Sequence, residues 1–169
     1  SFANPPHQPD LIELQIRLMP GGRFTTHVFE QMKQGDAVQF EGPLGDFSLR
    51  ESERPIVFVA GATGFAPVKS MVEDAFKRGL KRPIYLYWGV RKLADLYLPD
   101  LPTGWARDHD NFHFIPVLSD AAPEDQWHGR TGLVHEAILE DFPDLRGHEI
   151  YACGSVKMVE AIFPTLKSQ

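Results

Sequence analysis

From residue 55 onward the apolar residues arrive in short continuous blocks separated by helical patterning. The segments IVFVA at 56–60, IYLYW at 84–88, FHFIPVL at 112–118 and EIYAC at 149–153 are rich in β-branched and aromatic residues. Such runs suit strands buried in a parallel sheet. After the first of them, Val68, Met71, Val72, Ala75 and Phe76 recur at helical spacing. Pro67 lacks an amide hydrogen and fits a first helical turn, and Gly79 offers a C-terminal stop. Helical patterning follows each of the other strands. Strand alternating with helix predicts an α/β domain, a parallel sheet with helices on both faces.

The residues before 55 follow another rhythm. Ile12, Leu14, Ile16 and Leu18 alternate with polar residues, the pattern of a half-buried antiparallel strand. A turn at Pro20, Gly21 and Gly22 leads to a predicted helix over 24–32. Gly35 and Asp36 precede a second strand at 37–40, and Gly42, Pro43, Gly45 and Asp46 break the chain again. About three strands and one helix are too few to close a β-barrel. The chain also opens on Ser1 without a methionine. The expectation is a fragment whose first domain begins upstream, divided into residues 1–53 and 54–169.

The corner after the first buried strand carries the chemistry. Gly61, Ala62, Thr63 and Gly64 form a strand-to-helix turn, and the unpaired amides and positive dipole end of the helix would face whatever lies over it. A dinucleotide pyrophosphate is the usual occupant. On local evidence a plain tight turn stays open. The spacing is Gly-x-x-Gly rather than G-x-G-x-x-G, and no acidic residue closes the next strand, so this is not an ordinary dehydrogenase loop.

Composition narrows the function classes. The chain has 169 residues, 43% hydrophobic and 24% charged, with net charge -6 and a pI near 5.6. This balance, with Lys and Arg scattered, argues against nucleic-acid binding. No apolar run reaches the roughly 18 residues of a membrane span, and SFANPPHQPD lacks the order of a signal peptide, so a cytoplasmic protein is expected. The single cysteine, Cys153, excludes an intramolecular disulfide and an iron-sulfur cluster built wholly from this chain, which would need about four thiolates. His109 and His113 flank what reads as a loop entering a strand, and no metal site is expected.

Five segments in this order resemble the ferredoxin-NADP reductase superfamily: SFA at 1–3, GRFT at 22–25, GATGFAP at 61–67, DLY at 95–97, and Cys153-Gly154 with Met158. The likeness spans essentially the whole chain, and within the superfamily it points to NADH reductases of bacterial oxygenases and of the CDP-6-deoxy-glucoseen type. It implies part of an antiparallel β-barrel that binds FAD, followed by an α/β domain that binds the nicotinamide cofactor. Ser1 and Ala3 resemble the end of an Arg-x-Tyr-Ser-x-Ala motif whose serine hydroxyl bonds the reactive edge of the flavin. The arginine and tyrosine would lie upstream. Gly22, Arg23, Phe24 and Thr25 resemble the segment that holds the flavin pyrophosphate; read alone, Thr25 is a helix N-cap.

In the second domain the resemblance makes Gly61, Ala62, Thr63, Gly64 and Pro67 the nicotinamide loop, with Thr63 near the nicotinamide or its ribose. Arg91 would meet ribose or phosphate; read alone it is equally a solvated arginine. Asp95, Leu96 and Tyr97 match a signature near the site, though Leu96 and Tyr97 would serve as core. NADP-preferring relatives often carry serine then arginine where this chain has Ser119 and Asp120. A carboxylate there repels a 2'-phosphate and accepts a hydrogen bond from a free hydroxyl, so NADH is expected over NADPH. Cys153, Gly154 and Met158 resemble a Cys-Gly-x-x-x-Met segment whose thiol approaches the nicotinamide, and Ser155 reads as an N-cap. A lone cysteine without such neighbours is a small hydrophobe. Relatives continue to a C-terminal aromatic segment, whereas this chain stops at Gln169, and the tail is expected to be missing.

The implied function is an NADH-dependent flavoprotein reductase, with Ser1 and Cys153 at its catalytic centre. Hydride would pass from NADH to FAD, and single electrons would leave for a 2Fe-2S centre or ferredoxin-like acceptor outside this chain, serving an oxygenase or dehydratase component. Two alternatives stay open: a free-standing NAD(P)H:flavin reductase and a non-catalytic nucleotide-binding fragment.

Overall fold

A computed structural model describes residues 1–167. Its central strand is β1 (Ile56–Gly61), which pairs in parallel with β2 (Ile84–Val90) on one side and β5 (Glu149–Cys153) on the other. β3 (Phe112–Leu118) follows β2, and the short β4 (Arg130–Thr131) closes that edge, giving the order β4-β3-β2-β1-β5. Successive residues of β1 feed opposite faces, as a period of two requires. Ile56, Phe58 and Ala60 pack with α2 (Phe65–Lys77) and with Trp105 of α3 (Asp100–Asp108). Val57 and Val59 pack with Ile138 of α4 (Val134–Asp141) and Ile162 of α5 (Val156–Lys167). The expected parallel sheet, covered on both faces, is what the chain forms. Only β4 was not foreseen, because two residues carry no periodicity.

The helix after β1 starts two residues ahead of Pro67. A 3-10 turn at Ala62–Gly64 precedes it, and Pro67 is its third residue, where the missing amide costs nothing. Gly79 ends the helix at φ +70°; its N–H donates to Phe76 O and that of Leu80 to Ala75 O, both at 3.0 Å, the doubly bonded glycine stop of many helices.

The N-terminal residues depart from expectation. α1 spans Arg23–Glu30 rather than 24–32, and of the strands at 12–18 and 37–40 only one antiparallel bridge, Phe2 with Leu14, forms among the described residues. A strand exists only through its neighbour. The alternation at 12–18 is real, but residues 1–53 supply almost no partner, and Leu11, Ile12, Leu14, Leu18, Val38 and Phe40 are each at least 40% exposed. Ser168 and Gln169, at the chain end on which the missing-tail expectation rests, lie outside the described residues.

Two polar clusters fasten this segment to the sheet domain. At α2, buried Lys69 donates to Ala3 O at 3.3 Å, Glu13 at 2.9 Å and Glu73 at 3.1 Å, while Ser70 Oγ donates to Asn4 O at 2.8 Å. Asn4 closes the loop between them, donating to Gln8 O and Leu11 O and accepting the Glu13 N–H. Below the sheet, Arg82 donates to Glu149 at 3.1 Å and to the carbonyls of Arg50 and Arg54, so the linker at 50–54 is tied down.

Burial opposes charge on both Lys69 and Glu13, yet their hydrogen bonds outweigh it: the Lys69 pKa rises above 10.5 and that of Glu13 falls below 4.5. A lowered carboxylate stabilises above its unfolded value and loses that contribution as pH falls through its folded value; a raised lysine stabilises below 10.5 and loses its contribution as pH rises further. The clamp is therefore expected to hold from about pH 5 to pH 10. Denaturant midpoints across pH check this: for Lys69→Met the acid-side slope should flatten, and an unchanged slope would count against the clamp.

Candidate dinucleotide site

Chain connections leave β1 and β5 toward opposite faces of the sheet, α2 on one and α5 on the other. That divergence makes their carboxyl ends a topological switch point, where open α/β sheets bind ligands. A cavity of about 310 Å³ opens there, walled by Gly61 at the end of β1 and Ala62 after it, Gly89 near the end of β2 and Arg91 after it, Ser119 after β3, and Met158 of α5. No side chain caps the 3-10 turn or α2, and neither has an acidic residue in its first turn, so this positive helix end has no counter-charge of its own. Ala62 also lines a neighbouring cavity of about 530 Å³, together with Thr63, Tyr97, Asp95 and, from the N-terminal half, Gln15 and Phe29. Arg17 borders both cavities.

The glycines of the corner serve protein contacts first. A Cβ on Gly64 would stand 2.1 Å from Cys153 O, and one on Gly61 would stand 2.3 Å from Met158 Sδ. At Gly154 it would meet Met158 Cε at 2.6 Å. The absent side chains let the start of α5 cross the end of β1, with Ser155 Oγ accepting the Met158 N–H at 3.2 Å as the expected N-cap. Gly61→Ala is expected to cost little, about 1 kcal/mol, because a flexible methionine can move. In a Met158→Ala background, Gly61→Ala should bring no further fall in a thermal melt, since the clashing side chain is gone.

Cys153 ends β5 half-buried, and burial raises its thiol pKa. A thiol raised in this way stays protonated and is no nucleophile. Ser1 itself borders a separate cavity with Phe2, Phe40, Pro67 and Met71. Ala3 is fully buried. Arg91 and Asp120, expected separately, pair at 3.3 Å across the ends of β2 and β3, both well exposed. Thr25 is not an N-cap: Gly22 occupies that position, and the Thr25 hydroxyl accepts the Met19 N–H at 3.1 Å and donates to Met19 O. The competing bond won because the turn at 19–22 presents its backbone to Thr25 at the third helical position. The α1 N-terminus, at Arg23, Phe24 and Thr25, is thereby left without a side-chain cap or acidic neighbour and fits an anionic group.

Sequence reasoning missed Trp88, whose Nε1–H donates to Ala62 O at 2.9 Å, and gave Tyr97 only a generic place. Tyr97 meets Trp88 edge-on at 5.2 Å and donates its hydroxyl to Gln15; burial and the Glu13 charge raise its pKa. Gly89 was also missed, although a glycine closing a buried strand signals close approach; its Cβ would stand 2.9 Å from Val134 Cβ. His109 stacks on Phe76 and His113 on Tyr85. Among the described residues no three His, Cys, Asp or Glu gather to hold a metal, and no helix is long and apolar enough to cross a membrane.

Residues 58–163 match the family model of the oxidoreductase NAD-binding domain, and residues 1–49 match that of the oxidoreductase FAD-binding domain. The chain is 44% identical over 161 residues to the CDP-6-deoxy-L-threo-D-glycero-4-hexulose-3-dehydrase reductase of Yersinia pestis, covering 95% of this chain and 48% of that protein. It is 40% identical over 165 residues to the terephthalate 1,2-dioxygenase reductase component 1 of a Comamonas species, covering 96% and 48%. The crystal structure of the Amycolatopsis cytochrome P450 reductase GcoB superposes with a TM-score of 0.91 at 37% identity, covering 99% of this chain and 51% of that one. The chain thus spans about half the length of the curated relatives it matches.

Proposed function

The chain belongs to the oxidoreductase NAD-binding domain family, with part of an oxidoreductase FAD-binding domain ahead of it, and from that premise we propose that it is the nicotinamide-binding portion of an NADH-dependent flavoprotein reductase. FAD held by the N-terminal half would take hydride from NADH and pass single electrons to a 2Fe-2S centre or ferredoxin-like acceptor of an oxygenase or a sugar dehydratase. The observation that carries this reading is the cavity at the switch point, with an uncapped helix start on one side and Arg17 joining it to the cavity under the N-terminal half.

In this reading residues 1–53 belong to the flavin domain and 54–169 to the nicotinamide domain, with the linker tied by Arg82 between them. The turn at Ala62–Gly64 and the α2 N-terminus hold the dinucleotide phosphates. Thr63 stands beside the nicotinamide end, the Cys153 thiol approaches the nicotinamide, and Met158 lines the far wall. The α1 N-terminus holds the FAD pyrophosphate, and the Ser1 hydroxyl bonds the flavin edge. FAD, when bound, supplies the conversion of a two-electron hydride into single electrons. Asp120 accepts a bond from the free ribose hydroxyl of NADH, and its pairing with Arg91 takes away the cation that a 2'-phosphate would need.

Titration with each nucleotide tests this. NADH should bind at least about tenfold tighter than NADPH, and Asp120→Ser should narrow the gap to about threefold by removing the like charge and freeing Arg91. Equal affinities in the unsubstituted chain would overturn the NADH assignment. Reconstitution with FAD and an artificial one-electron acceptor should give NADH oxidation; NADH binding with neither flavin uptake nor turnover would favour a non-catalytic nucleotide module.

A further inference from the structure

Ala62 holds φ at +47°, one of two non-glycine residues with positive φ among those described; the other, Gln126, is an exposed turn residue. A left-handed L-residue is strained and persists only where its surroundings hold it. The Ala62 carbonyl is held by two donors: the Phe65 N–H within the 3-10 turn and, from the sheet, Trp88. Its indole is fully buried, is a donor only, and must find an acceptor; it finds Ala62 O at 2.9 Å. The ring cannot tilt away, because Phe65 stacks on it at 4.1 Å and 14° while Tyr97 stands against it at 5.2 Å and 86°. Tyr97 in turn bonds Gln15 of the N-terminal half.

The peptide plane is rigid, so a carbonyl held toward Trp88 turns the following N–H, that of Thr63, the opposite way. We propose that Trp88 is a positioning residue: its indole N–H sets the Ala62–Thr63 peptide in the orientation that receives the dinucleotide, and Tyr97 links that setting to Gln15. The assignment of the ligand rests on the function proposed above; the holding of the loop does not.

Trp88→Phe keeps a ring against Phe65 and removes the N–H. In the ligand-free protein the Thr63 and Gly64 amides should then exchange about fivefold faster, the effect of one lost hydrogen bond. The NADH dissociation constant should rise by about the same factor. Ala62→Gly in the same background should restore most of the affinity, because glycine takes the left-handed conformation without strain. A purely structural tryptophan would show no such rescue. Unchanged exchange at Thr63 and Gly64 overturns the proposal whether or not NADH binds. Faster exchange in a chain that binds no NADH even unsubstituted supports the holding role and removes the dinucleotide as its purpose. Tyr97→Phe, which keeps Trp88, supplies the test should Trp88→Phe not fold: faster Thr63 exchange is expected, and none overturns the link to Gln15.

Discussion

Gly64→Ala is expected to lower stability by about 3 kcal/mol or more, the upper end of overpacking penalties. The added Cβ would lie 2.1 Å from Cys153 O, 2.5 Å from Cys153 C and 2.9 Å from Gly154 N. All three are backbone atoms. Either the end of β5 or the start of α2 has to move, and both sit at the switch point. A thermal melt should show the midpoint falling by roughly 6–12 °C for a chain of this size, with loss of nucleotide binding. A midpoint within about 2 °C of the parent would mean that the junction is looser than described. Gly61→Ala, three residues away, separates the two causes, because its clash is with a side chain that can swing aside.

Glu149→Ala should cost about 3 kcal/mol by leaving the buried Arg82 guanidinium without its counter-charge. The Arg82 side chain is 4% exposed and that of Glu149 14%. Glu149 also accepts the Tyr151 hydroxyl at 2.9 Å, and the Tyr151 hydroxyl oxygen in turn accepts the Arg50 N–H. Removing one carboxylate therefore disturbs the linker at both ends. Burial pushes the Glu149 pKa up, but bonds from Tyr151, Ser52 and Arg82 outweigh this and hold it below 4.5. Its contribution is present above that value and disappears as pH falls through the folded value. The Glu149→Ala penalty, measured by urea midpoints, should accordingly be large at pH 7 and small near pH 3. Arg82→Met in the same background should recover part of the loss, as apolar replacement of both partners of a buried pair often does. A penalty independent of pH would place the cost in lost packing.

Much of the second half was legible before any coordinates. β1, β2, β3 and β5 are short blocks of strand-forming residues, and the central pair β1 and β2 is buried along most of its length, so its composition reflects the core directly. Pro67 and Gly79 bracket a helix because one lacks a donor and the other tolerates positive φ. The dinucleotide corner was legible for the same reason: Gly61 and Gly64 stand between a buried strand and an amphipathic helix. The first half was less so. Ile12, Leu14, Ile16 and Leu18 do alternate, yet alternation says which face would be buried and not whether a partner strand is at hand, and here those residues stay exposed.

Local pattern, then, determined the α/β order, the glycine stop of α2 and the corner that faces a phosphate, because each depends on residues within a few positions of one another. The purpose of each corner residue came from residues far along the chain. Gly64 is glycine for the sake of a carbonyl 89 positions on, at Cys153. Arg91 is matched by Asp120, 29 residues later, and Ala62 is held by Trp88, 26 residues later. Such pairings follow from the parallel register that levels the ends of β1, β2, β3 and β5. A sheet brings distant residues together edge to edge, and nothing in the spacing of either partner records which one it will meet.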